Sequence, residues 1–414
     1  MKMRLVIRSE PNKEKNLTVG AFSLVVALLP VLASYASGIP GFSVADVALA
    51  LFLVLAVIGG FEKRNNTFAV KPVLIYVAMY LILFFALVSM VIQSNPQFGN
   101  VVIRVIRYFF YLVVVQVCAT KMLDIEYCKK LIKLVSIWGT IYILLQYVLY
   151  HGIGYVLKGF LPFLKLYVED YATKDYNSLY AMSFFRPTSF FLEPAHYARY
   201  AVVGLALYLF DGEELSLKEI LCGIFICVGI LISTSAQGYL LMALVWITAF
   251  AVRIKNIRSA NLRNLALFVL LLMPVLIALI LRIPFVNQAV MRILTADITN
   301  ENTALGARLG GIKYYLELPL VYKLIGMGFG VIPDEGWISS AVYWLYGSGI
   351  IVFTLYLVYG CIALKRTKGA ARMILLIFLI LFFSDDSFYS YTCVLYISIS
   401  LLQPPQKQPV GVVI

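Results

Sequence analysis

Runs of apolar residues close to the roughly 20 that a helix needs to cross about 30 Å of hydrocarbon recur from Val19 to Leu402. A chain built this way has few ways to fold in water. Apolar residues make up 62% of the sequence and charged ones 13%, against roughly 45–50% and about 25% in soluble domains. That balance excludes a soluble enzyme, a nucleic-acid-binding module and a disordered scaffold. The net charge of +13 has meaning here through its position along the chain rather than through its sum.

Twelve spans are expected. They run Val19 to Ser37, Val44 to Gly60, Val73 to Ile92, Val101 to Thr120, Leu134 to Tyr150 and Pro194 to Phe210. The others are Ile220 to Ser235, Ala236 to Val252, Leu265 to Leu281 and Ser339 to Ala363, with two short spans in the stretch Met373 to Leu402. That last stretch is divided at Asp385 and Asp386, because adjacent carboxylates are costly at mid-bilayer. With this alternation, 22 of the 34 Lys and Arg residues fall on one side, from Lys2 in the N-terminal arm to Lys407. Basic loops face the cytoplasm, so both termini are expected inside. The acidic connection Asp211 to Glu219 falls on the same side, where acidic residues count for little in orientation. The fold class is therefore an all-α polytopic membrane protein, a single integral membrane domain over residues 1–414. The basic N-terminal stretch and first apolar run read as a retained helix rather than a cleaved signal. The six cysteines lie mostly within spans or at their cytoplasmic ends, with no CxxC or Cys/His cluster, so neither disulfide nor metal is expected, and no cofactor.

Two connections, residues 151–193 and 282–338, are long and external in this topology. Loops of this length are usually functional or disordered, and their apolar and aromatic content argues against disorder. The first ends in Phe184-Phe185-Arg186-Pro187-Thr188-Ser189-Phe190-Phe191-Leu192-Glu193-Pro194-Ala195-His196. Pro194 suits a first helical turn, which puts Glu193 at a positive helix end and His196, Tyr197 and Tyr200 at helical spacing from it. Arg186 can fold back toward that face. Such a cluster handles both a proton and an anion, and the same residue types also serve at membrane boundaries as structural ion pairs and headgroup anchors. Arg104 and Arg107 share one face near the outer end of the fourth span, where arginine either lines a wet cavity or snorkels to headgroups. A paired guanidinium face suits a phosphate or pyrophosphate. In the second segment, Ala307 to Leu318 reads as an amphipathic helix with Arg308 near its positive end. The Gly326, Gly328 and Gly330 series lacks the βαβ context of a dinucleotide fingerprint and suits a chain turning closely against the bundle. Tyr167, Tyr171, Tyr176 and Tyr180 suit either sugar stacking or the headgroup level.

Three stretches resemble the Wzy-type polysaccharide polymerases, relatives of the O-antigen ligases. They are the Arg186 to His196 run, the turn Leu231-Ile232-Ser233-Thr234-Ser235-Ala236-Gln237-Gly238, and Gly306-Ala307-Arg308-Leu309 followed by Ile325-Gly326-Met327-Gly328-Phe329-Gly330. They cover about a tenth of the chain, and their order and the span layout extend the likeness. The resemblance implies a metal-independent, inverting glycosyltransferase of the bacterial plasma membrane. It would move a growing glycan from undecaprenyl pyrophosphate to the sugar of another lipid-linked repeat unit at the outer face, with a chain-length-regulating co-polymerase as partner. On that reading Arg186 and Arg308 contact pyrophosphate, with Arg104 and Arg107 secondary, Tyr197 and Tyr200 line the substrate, and Glu193 or His196 is the base. The ligase branch carries a histidine in its second large external loop. Here the only histidines are His151 and His196, which favours polymerase over ligase. A flippase or exporter of lipid-linked oligosaccharides is the competing class; it needs two comparable halves, whereas this chain gathers its polar features on one side.

Overall fold

The computed structural model describes residues 17–59, 64–93, 97–161, 163–167, 185–212, 215–253, 282, 287, 290–291, 306, 310–332, 339–385 and 390–404. The chain is mostly helical. In order the helices are α1 (Leu17–Leu32), α2 (Val44–Ile58), α3 (Val73–Ile92), α4 (Phe98–Met122), α5 (Ile125–Ile153), α6 (Pro194–Phe210), α7 (Leu217–Ile232) and α8 (Ala236–Arg253). Two short helices follow, α9 (Ile312–Glu317) and α10 (Leu320–Ile325), then α11 (Ser340–Arg366), α12 (Gly369–Ser384) and α13 (Thr392–Leu401). Helices occupy eleven of the twelve expected spans among the described residues; Leu265 to Leu281 lies outside them. Four, namely α3, α4, α5 and α11, are long and apolar enough to cross a membrane. At 1.5 Å per residue, the 16 described residues of α1 reach about 24 Å.

Local chemistry sets several boundaries. Ser43 and Asp46 form a reciprocal capping box at the start of α2, and Ser216 and Glu219 do the same for α7. Asp124 caps α5 by accepting from the Tyr127 N–H, and Gly154 ends it in the left-handed conformation. The first helix stops at Leu32, short of the expected Ser37, because the chain turns to pair Tyr35 with Leu166 and Ala36 with Ser43. Of the expected helix Ala307 to Leu318, residues 307–309 lie outside the described residues; Ile312–Glu317 is helical, and Leu318, extended before Pro319, ends it.

Helix α6 is the hub. It is buried nearly all round, from Tyr197 and Ala198 through Phe210, and packs against α5, α7, α8 and α12. Small residues permit this approach: a Cβ on Gly204 would collide with Ser136 of α5. Elsewhere in the same core, Phe329 packs against Tyr108, Tyr343 and Trp344, with ring centroids 5.4, 5.2 and 5.2 Å away.

Contacts sort the connections to two ends of the bundle. At one end, the backbone of Arg64 and Asn66 bonds to Lys121 and Thr120, the two-residue strands β1 (Thr67–Phe68) and β2 (Leu402–Gln403) pair antiparallel, and Tyr359 donates to Val70 O. Lys129 and Lys133 bind Asp211 there at 2.8 and 3.0 Å. At the other end lie the 33–43 loop, both described flanks of the first long segment, the α7–α8 turn, and the break between α12 and α13.

Candidate functional site

The second end is built on the C-terminal half of α5. That helix has 29 residues against 17 in α6, so about 43 Å stands beside about 25 Å, and the surplus gives the first long segment a wall. Tyr142 donates to Lys158 O at 2.7 Å and Gln146 Nε2 to Leu157 O at 2.9 Å. From the other flank, Ser189 N–H donates to Gln146 Oε1 at 2.8 Å, Ser189 Oγ donates to Gly139 O at 2.9 Å, and the Phe185 ring stacks on Tyr150 at 4.3 Å. Ser189 is held at φ 58°, a strained position for a residue with a side chain. Between the Phe185 stack and the Ser189 clamp sits Arg186. Its Nε donates to Thr234 Oγ1 at 2.9 Å. Thr234, itself at φ 54°, is in the tight turn between α7 and α8. Two of the three segments that carry the resemblance therefore touch each other. The expected fold-back of Arg186 is directed to this turn.

Glu193 is the N-cap of α6. Its backbone is extended, its carbonyl accepts from the N–H groups of His196 and Tyr197, and its half-buried side chain makes no capping bond. His196 lines a cavity of about 20 Å³ with Arg199, Tyr200, Tyr391, Thr392 and Tyr396, which is room for about one water. Arg199 forms an ion pair with Asp385, their side chains 12% and 6% exposed. Asp385 is the first residue beyond α12, and its carbonyl accepts from both the N–H and the Oγ of Ser340, at 2.7 and 2.6 Å. Its neighbour Ser384 accepts from Gln237 Nε2 at 2.7 Å. The helix break expected at the acidic pair is thus tied to α6, α8 and α11 together.

The remaining expected residues divide. Tyr197 is fully buried and shares a 2.8 Å hydrogen bond with Thr140, away from the His196 cavity. Tyr200 presents its ring to that cavity while its hydroxyl donates to Ala27 O at 2.8 Å. Arg107 donates to Gly41 O, lies 3.8 Å from Asp46 and 5.8 Å over the Phe42 ring. Asp46 is further engaged by Ser43 and Tyr111, so Arg107 belongs to the network that fixes the start of α2. Arg104 is exposed, with its stem packed where a Cβ on Gly330 would be. Arg308 lies outside the described residues. Arg199, Asp385, Gln146 and Gln237 were not among the expected site residues. The available signal was an arginine inside one apolar run and an acid inside another, a pattern that asks for a partner in low dielectric.

Among the described residues no group of three or more His, Cys, Asp or Glu side chains is arranged to hold a metal. Compared with known proteins, the chain matches no family model and no curated protein.

Proposed function

We propose that the chain is a polysaccharide polymerase of the plasma membrane, of the Wzy type, with the Arg186 to Arg199 end of the bundle facing out and the basic loops facing the cytoplasm. The observation that supports this reading is the seating of Arg186 on the α7–α8 turn, at the bundle end where α6 begins with Glu193 and His196. In the proposed reaction a hydroxyl of the lipid-linked acceptor sugar attacks the anomeric carbon of the donor glycan. The new C–O bond forms as the bond from that carbon to the pyrophosphate oxygen breaks, which inverts the centre. The hydroxyl proton passes to Glu193 or His196. The departing undecaprenyl pyrophosphate carries the developed charge, which Arg186, joined by Arg308, offsets through charge-assisted hydrogen bonds. Arg107, committed to the α2 network, is assigned to structure. Arg104 stays a secondary contact.

The cellular test replaces Arg186 with Ala and reads the length of surface polysaccharide on a gel, with membrane expression held equal. The expected result is collapse to single repeat units. Unchanged length distributions would remove Arg186 and the enzyme reading with it.

A further inference from the structure

We infer that Gln237 reads a sugar hydroxyl of the lipid-linked substrate, which would make it a specificity-determining residue of the site; the inference rests on the polymerase reading for its substrate. Gln237 is 6% exposed. Its Nε2 donates to Ser384 Oγ, and the Ser384 hydroxyl in turn donates to Ile380 O at 3.2 Å. A serine that has given its only hydrogen to a carbonyl can receive but not give, which fixes the orientation of the Gln237 amide. Its NH2 faces Ser384. Oε1 is therefore the free end, and it is buried with no hydrogen-bond partner among the described residues.

A buried amide oxygen without a donor is unfavourable, so the group that completes it has to bring an N–H or O–H. An ionised pyrophosphate cannot, since its oxygens only accept; a sugar hydroxyl can. The surroundings are those of the site. Gln237 stands one turn from Thr234, the partner of Arg186, and the next residue, Gly238, packs so tightly on Ala198 that a Cβ would collide with it. Ser384 precedes Asp385, whose carbonyl holds Ser340. Beside Ser340, the fully buried Ser339 hydroxyl also lacks a partner among the described residues. Two incomplete polar groups thus flank the junction of α8, α11 and α12, one strictly an acceptor. On the polymerase reading the diphosphate falls to Arg186, and the unfilled acceptor gives the sugar to Gln237.

The test measures binding, with the full chain in lipid nanodiscs. The probes are undecaprenyl pyrophosphate carrying the repeat unit and the same lipid without sugar. For the unaltered chain the sugar-bearing lipid binds more tightly. Gln237→Met should lower affinity for the sugar-bearing lipid about tenfold and leave the sugarless lipid unchanged. Ser384→Ala, which frees the amide without crowding the core, should lower the preference about threefold and remains informative if the Met variant fails to fold. An unchanged preference in the folded variants, or an equal loss for both lipids, overturns the assignment. A parallel elongation assay on the same discs reports separately on the enzyme reading. Sugar preference lost without any wild-type elongation supports Gln237 as a sugar contact and rejects the polymerase.

Discussion

Gln146 uses both ends of one amide on the chain that carries Arg186, taking the Ser189 N–H and supplying Leu157 O. Replacing it with Leu leaves those buried backbone groups without partners, and the expected loss is about 2–3 kcal/mol, read as a lowered midpoint of thermal unfolding in detergent. Arg186→Lys keeps the charge but not the planar fork. On the proposed mechanism, Lys should recover little of a loss of about 10²–10³ in turnover, measured on glycan length against time. Pro194 made a helix start legible, and with it the spacing of Glu193, His196 and the residues that follow. Their grouping was not fully legible. Helical spacing joined Tyr197 to His196, but the two are separated by about 100° on the helix, and Tyr197 turns inward to Thr140. Arg199 was missed because its partner Asp385 comes from a distant helix, and one sequence does not announce such a pairing.

Among the elements, α11 bends at Gly349, where φ is 74° and the Leu324 carbonyl occupies the space of a Cβ. Gly349→Ala combines backbone strain with overlap, for an expected destabilisation of about 2–4 kcal/mol seen in the same unfolding assay. The break between α12 and α13 is held by the buried Arg199–Asp385 pair. Removing either partner alone strands a buried charge at about 3–5 kcal/mol, whereas Arg199→Met with Asp385→Leu should recover much of the stability. At the opposite end, burial raises the Asp211 pKa, but hydrogen bonds and charge from Lys129 and Lys133 outweigh it and hold the group below its ordinary 3.8. A depressed carboxylate contributes stability above its unfolded pKa and loses it as pH falls through the folded one. Unfolding midpoints should therefore drop as the medium is acidified below the ordinary carboxylate range, and Asp211→Asn should flatten that part of the profile. Apolar runs made the existence of these helices legible. Their ends depended on capping pairs, on a β-bridge at Tyr35 and on Pro319, which carry little hydrophobic signal.

For the molecule as a whole, among the described residues the basic connections around Arg64, Lys121, Lys129 and Lys133 meet at one end, and Arg186, His196 and the Arg199–Asp385 pair lie at the other. Alternation of apolar runs with basic loops was the signal for the helices and their connections. It did not anticipate that α5 outreaches α6, or that the described flanks of the first long segment bond to that surplus beside Arg186. In the proposed function, this end of the bundle extends a glycan on a lipid pyrophosphate. The most direct measurement of that reaction uses purified protein in lipid vesicles supplied only with undecaprenyl-pyrophosphate repeat units, and follows glycan length and released lipid pyrophosphate together. Both should rise in step, one lipid pyrophosphate freed for each repeat unit added. Translocation of the substrate with no growth in length would contradict the account.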